Sequence, residues 1–163
     1  MKRILVIGCP GSGKSTFSEV LAKKLDLPLY HLDLFFWNED KTTVPLPDFL
    51  RHLRHVLAED RWIIDGNYGS TMELRVAACD TVFFLDYPLE VCLAGLRERK
   101  GKALAHQPFY TPSDEKNEAF LDFVLNYKEQ SRPKVLALFD RYPDKKIVVF
   151  KNREEASAYL NRL

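Results

Sequence analysis

Short apolar runs alternate along this chain with segments of helical period. Arg3–Ile7 is a continuous run rich in β-branched residues, the pattern of a strand buried on both faces. A helix follows with Phe17, Val20, Leu21 and Leu25 as its apolar stripe. A short strand is predicted at Leu29–Leu32, after Pro28. Pro45–Glu59 then carries Phe49, Leu50, Leu53 and Leu57 at helical spacing. Arg61–Ile64 and Thr81–Leu85 are further buried-strand candidates, each followed by an aspartate, and Pro88 opens another helix through Val91 and Leu93. A helical stripe resumes at Phe120, Phe123, Val124 and Tyr127, with Pro133 marking a kink or break. Lys146–Phe150 is the last strand. Asn152 with Glu155 resembles a capping box ahead of a helix bearing Ala156, Tyr159, Leu160 and Leu163.

Alternating β and α elements with short connections predict an α/β fold, a parallel sheet covered by helices in three layers. Between Glu98 and Asn117 the apolar pattern lapses while charge, Pro and Gly increase. An irregular stretch of that length inside a compact domain predicts a lid. The organisation expected is a single domain over residues 1–163, with a helical lid or insert at about 98–130. No repeat, low-complexity tract or domain-sized linker interrupts it.

Composition narrows the function classes. Lys and Arg number 24 against 23 Asp and Glu, a net charge of +1, without the basic excess of a duplex-binding domain. DNA is therefore not the expected partner. No apolar run approaches membrane-spanning length, so a cytoplasmic protein with no membrane partner is expected. Cys9, Cys79 and Cys92 are an odd number without CxxC spacing, which argues against a disulfide scaffold or a structural zinc site. Cys9 lies before a helix start, where a thiolate is stabilised; the alternative is a small filler of the loop.

The strongest chemical signal is Gly8-Cys9-Pro10-Gly11-Ser12-Gly13-Lys14-Ser15, which satisfies G-x-x-x-x-G-K-[S/T] at every fixed position. Glycines let the backbone turn successive N–H groups inward as an anion nest, and the following helix adds the positive end of its dipole. The candidate cradle is Gly8, Gly11, Ser12, Gly13, Lys14, Ser15 and Thr16. Lys14 is placed to bridge the outer phosphates of ATP, and the Ser15 hydroxyl to reach Mg²⁺.

Such a loop needs a carboxylate near the metal, and Asp65 and Asp86 both end a predicted strand. Asp65 is favoured because Gly66-Asn67-Tyr68 forms a polar turn at the carboxyl end of the sheet, where ligands of such sheets bind. Asp33, in His31-Leu32-Asp33-Leu34-Phe35-Phe36-Trp37, is a candidate to orient or deprotonate an acceptor hydroxyl, and His31 reads as a structural histidine. Trp37, Asn67 and Tyr68 complete the expected acceptor side. Arg97, Arg99, Lys100 and Lys102 crowd the start of the irregular stretch and Arg132 lies beyond it. Cations on a closing lid stabilise a transferring phosphoryl group, and Arg99 and Arg132 are the catalytic candidates.

These segments together resemble the adenylate-kinase-like P-loop kinases. Within them the H-L-D-x-x-F-W segment, the R-W-I-I-D-G-N-Y turn and Arg132–Leu138 are most similar to bacterial proteins of the DNA topology modulation, FlaR-like, family. The resemblance spans nearly the whole chain. It implies a five-stranded sheet in the order 2-3-1-4-5, MgATP as cofactor, Asp65 as the metal-associated aspartate, Arg99 as a lid arginine, and Lys151 to Arg153 near the adenine. It likens Asp33 to the acceptor-binding aspartate of shikimate-kinase-like relatives. Two features depart from it: Gly95 stands where adenylate kinases carry an arginine, and the threonine and arginine pattern for a nucleotide acceptor is missing. The expected activity is phosphoryl transfer from MgATP to a small molecule. The alternatives are a regulatory ATP-binding protein and a slow NTPase without an acceptor.

Overall fold

In the computed structural model, residues 1–40, 42–99 and 118–163 are described. The lid stretch at 100–117, with Lys100 and Lys102, lies outside them. The sheet has the strand order β2-β3-β1-β4-β5 and every pairing is parallel. Its strands are β1 (Arg3–Gly8), β2 (Leu29–His31), β3 (Trp62–Asp65), β4 (Thr81–Leu85) and β5 (Lys146–Phe150). In register, Leu5 pairs with Ile64 on one side and Val82 on the other. Ile4 to Ile7 and Val82 to Phe84 are all fully buried, so the central strands are covered on both faces.

Aromatic rings mark the two coverings. Phe83 points toward α1 (Lys14–Leu25) and α8 (Arg153–Asn161), with Phe17 and Tyr159 at 5.3 and 5.2 Å from it. Its neighbour Phe84 points the other way and meets Phe139 of α7 (Arg132–Arg141) edge-on at 5.9 Å. The alternation of Phe83 and Phe84 follows from the period of two along a strand. The remaining helices are α2 (Leu32–Phe36), α3 (Leu46–Leu57), α4 (Met72–Ala78), α5 (Leu89–Arg99) and α6 (Glu118–Leu125). Among the described residues no helix is long and apolar enough to cross a membrane.

Several elements differ from the sequence reading. The second strand stops at His31, and Leu32 begins a helix, so Asp33 sits in a helical first turn rather than at a strand end. The Leu-Asp-Leu-Phe-Phe run suits either state, and Leu32 decides it by burying fully beneath the sheet's edge. Val20, expected in the core, is 36% exposed and faces the cavity described below. Pro133 lies in the first turn of α7, where its missing N–H leaves no partner stranded. The segment before it, Tyr127–Ser131, is a wide helical turn. Asn152 caps α8 by accepting from the Glu155 N–H at 2.8 Å, while the Glu155 carboxylate accepts from the Lys151 N–H.

Asp86 follows β4 and ties three elements together. It accepts from Arg132 through both oxygens, at 2.7 and 2.9 Å, and also from Lys151 Nζ. Burial opposes its charge, but the bonds from Arg132 and Lys151 win and hold its carboxyl below the ordinary aspartate range. A carboxyl depressed by folding stabilises the protein above its unfolded pKa, near 3.8, and loses that contribution as pH falls through the folded value. Asp86→Asn is expected to lower stability at pH 7 by about 1–3 kcal/mol in urea unfolding. The gap between variant and parent should narrow below about pH 4. An equal gap at pH 7 and pH 3 would contradict the ion pair.

Candidate active site

The carboxyl ends of β1 and β3 open into a cavity of about 870 Å³, floored by the loop from β1 to α1. Within that loop the Ser12 N–H donates to the Cys9 carbonyl at 3.1 Å, and Gly11 and Gly13 hold left-handed φ angles of 83° and 90°. The amides of Gly11, Gly13, Lys14, Ser15 and Thr16 meet no acceptor among the described residues. A side chain at Gly13 would meet nothing within 4 Å. This bowl of unbonded N–H groups at a helix start is an anion site. Lys14 reaches the Cys9 carbonyl at 3.2 Å and faces the cavity. Burial lowers its pKa, and Asp65, Cys9 and Asp33 work in the opposite direction.

The loop is seated on α5 by contact between backbones. A Cβ at Gly11 would lie 2.0 Å from the Cys92 carbonyl oxygen, and one at Gly95 would lie 2.0 Å from the Gly11 oxygen. No arginine fits at 95, which explains that departure from the adenylate kinases. Beneath the loop, Cys9 and Cys92 are both buried and neighbour each other. The Cys92 thiol and then burial push the Cys9 thiol up, which with its burial fits Cys9 as a filler beneath the loop.

Asp65 ends β3 with 4% exposure. Its Oδ1 meets His31 Nδ1 at 2.9 Å, and its Oδ2 is buried without a hydrogen-bond partner. Burial alone lowers the His31 pKa, but the bond to Asp65 outweighs it and the net shift is upward. The Ser12 Oγ is likewise buried and unbonded. A buried carboxylate oxygen left open beside Lys14, unbonded amides and a Ser15 hydroxyl on the cavity wall make up a donor and acceptor set suited to a triphosphate carrying Mg²⁺. Within that set, the Ser15 hydroxyl and the Asp65 carboxylate are the groups that could hold a metal ion. Asp86, the rival carboxylate, is outside the cavity lining and belongs to Arg132 and Lys151.

The opposite wall is formed by Asp33, Phe36, Trp37, Asn67 and Tyr68. Tyr68 Oη donates to Asp33 Oδ1. The Phe36 ring lies 5.3 Å from Trp37 and 4.9 Å from Tyr68. Asn67, expected to bind substrate, lines the cavity but also accepts from the Gly8 N–H at 3.4 Å, which braces the loop's first residue. The 66–68 turn is clamped from below by Arg75 of α4, which is fully buried. Arg75 donates to the carbonyls of Gly66 at 2.8 Å, of Tyr68 at 3.0 Å and of Asn67. Burial pushes its pKa down to about 9, which leaves it charged at neutral pH.

The predicted cations separate into two groups. Arg99 and Arg153 line the cavity. Arg153, at the start of α8, also faces Glu98 at 3.6 Å. Arg97 is exposed and, like Lys151 and Arg132, outside the lining. Arg132, expected as a lid cation, pairs with Asp86 in this structure. Its charge beside the irregular stretch suggested a lid, while its partner lies 46 positions away in sequence. Sequence reading missed Tyr87, Phe120, Phe123, Ala156, Ser157 and Leu160, all on the cavity wall. For the last three, the apolar face of α8 was the available signal.

No protein-family profile and no curated protein matches the chain. Solved structures do. A shikimate kinase from Bacteroides thetaiotaomicron aligns with a TM-score of 0.61 at 20% identity, covering 99% of this chain and 95% of its own. One from Aquifex aeolicus aligns at 0.54 and 19%, covering 98% and 92%. The strand order and helical layers here are those of this P-loop kinase fold.

Gly95→Ala tests how the loop is seated. Forcing a methyl group against the Gly11 carbonyl is expected to cost about 1–3 kcal/mol, or about tenfold in affinity for a triphosphate probe such as MgATP. Isothermal titration checks it, and unchanged affinity in a folded variant would refute the contact's role.

Proposed function

We propose that the chain is an ATP-dependent kinase of a small-molecule alcohol. One observation carries this reading: the open amide bowl with Lys14 and the side chain of Asp33 line a single cavity. In this reading Gly8, Gly11, Ser12, Gly13, Lys14, Ser15 and Thr16 hold the polyphosphate, and Arg153 and the α8 face lie toward the base. Ser15 and Asp65 hold Mg²⁺, which supplies charge neutralisation on the phosphates when bound. His31 occupies one oxygen of Asp65, and the other, which meets no hydrogen-bond donor, would serve the metal.

The acceptor alcohol takes its place beside Asp33, in competition with or alongside the Tyr68 hydroxyl. Asp33 accepts the alcohol's proton as its oxygen forms a bond to the γ-phosphorus. The bond from that phosphorus to the β–γ bridging oxygen breaks, and its electron pair leaves on ADP. Lys14 and Arg99 stabilise the charge on the transferring group, and the loop amides hold it in line. The fold's likeness to shikimate kinases supports a kinase over a binding protein; the likeness to the DNA-topology-modulation family rests on the sequence segments alone.

A screen of alcohols for ATP-to-ADP conversion tests this reading. With an active acceptor, Asp33→Asn is expected to lower kcat about 10²- to 10⁴-fold while the KM for ATP stays within about twofold. ATP hydrolysis that no alcohol accelerates would instead support the slow NTPase.

Lys14→Ala should abolish most of the thermal stabilisation that MgATP gives the parent protein. Retention of that shift would count against the cradle.

A further inference from the structure

Arg75 of α4 is fully buried, and its donors all go to oxygens of one short stretch of chain. One arm of the guanidinium donates to the Gly66 carbonyl at 2.8 Å, the other to the carbonyls of Asn67 and of Tyr68, the latter at 3.0 Å. Its Nε donates to Thr71 Oγ1 at 3.3 Å, and that hydroxyl donates in turn to the Tyr68 carbonyl at 3.2 Å. Burying a cation is costly even where it is well bonded, and apolar residues of similar volume commonly replace buried charges without loss of stability. Stability alone is a weak reason for a guanidinium at this position.

Three successive carbonyls converge on one group only where the backbone between them turns sharply. Gly66 has a φ of 127° and Tyr68 one of 27°. Gly66 is also pressed on α2: a Cβ there would lie 2.9 Å from the Cβ of Leu32, the neighbour of Asp33. With these carbonyls held by Arg75, Asn67 and Tyr68 line the cavity. Asn67 Oδ1 accepts from the Gly8 N–H at 3.4 Å, at the start of the phosphate loop, and Tyr68 Oη donates to Asp33 Oδ1. The two residues clamped by one guanidinium therefore each make a contact to a different side of the cavity. A lysine ammonium is a point donor and does not match a spread of three carbonyls and a hydroxyl as the planar guanidinium does.

We propose that Arg75 is a positioning residue. By gathering the carbonyls of residues 66–68 it holds Asn67 on the phosphate loop and Tyr68 on Asp33, and so fixes the register between bound polyphosphate and acceptor. The acceptor arm of this inference rests on the kinase reading; the nucleotide arm stands without it.

Two double-mutant cycles on the full chain test it. In the first, isothermal titration measures MgADP affinity for the parent, Arg75→Met, Asn67→Ala and the double variant, at a temperature where circular dichroism shows each folded. Each single change is expected to weaken MgADP at least threefold, with the double variant within twofold of the weaker single one. A residue that only stabilised the fold would lower the melting temperature and leave the affinity of the folded protein unchanged. Parental affinity in folded Arg75→Met, or effects that multiply in the double variant, overturn the proposal.

The second cycle follows kcat with an active acceptor. Arg75→Met should lower it at least tenfold, and Tyr68→Phe should cost less than a further twofold on that background. Arg75→Lys is expected to recover less than a third of the lost rate; full recovery would reduce Arg75 to a charge and overturn the clamp. If no alcohol is phosphorylated by the parent, the kinase reading fails, and the MgADP cycle alone decides the role of Arg75. Should Arg75→Met not fold, Thr71→Val replaces it in both cycles, removing the hydroxyl between Nε and the Tyr68 carbonyl. Coupling of the same sign is then expected, and parental values or multiplying effects overturn the proposal.

Discussion

The site depends on two stretches of backbone lying in contact, the β1–α1 loop on α5. Gly11 and Gly95 approach each other's helix and loop so closely that a single Cβ on either would collide with a carbonyl oxygen. Because the loop is held from outside, through this contact and the buried thiols of Cys9 and Cys92, its amides need not bond to one another. Only the Ser12 N–H closes a turn within it. The rest face the cavity, and an anion-binding nest results from packing on the far side of the loop.

A second support keeps the opposite wall in register with the first. Asn67 bonds to the amide of Gly8, so the turn after β3 and the start of the phosphate loop move together. Arg75 holds that turn through three carbonyls, and Tyr68 sustains a positive φ of 27° within it. A non-glycine residue in that region is strained and persists where its surroundings overdetermine it. Here the determinants are the buried guanidinium on its carbonyl side and Asp33 on its hydroxyl. A cation placed in the interior with carbonyl dipoles for partners is costly to bury and hard to replace. Its position below the acceptor wall links the stability of α4 to the shape of the site.

Local pattern made the sheet and the phosphate loop legible. Thr81–Leu85 and Lys146–Phe150 stand where their apolar runs put them, and the glycine spacing from Gly8 to Ser15 defined the bowl. The failures come from pairings distant in sequence. Nothing near Arg132 announces Asp86, and nothing near Arg75 announces the carbonyls it would clamp. Asp33 was expected at a strand end and lies in a helix, because a five-residue apolar stretch has no period long enough to separate strand from helix. Gly95 looked like the loss of a functional arginine; the reason for it is a carbonyl that sequence cannot display.

Fold likeness bears on the sheet more than on the two halves of this cavity. The phosphate side is made by β1, its loop and α1, elements that any member of this architecture must keep in order to hold a polyphosphate. The acceptor side is made by α2, the stretch beyond it and the turn after β3, where side chains change without disturbing the sheet. A shared strand order with shikimate kinases therefore shows the sheet and its layers, and leaves both halves of the cavity to their own residues. On that second half, the described side chains in the lining are those of Asp33, Phe36, Trp37, Asn67 and Tyr68, drawn from α2, the residue after it and the turn after β3.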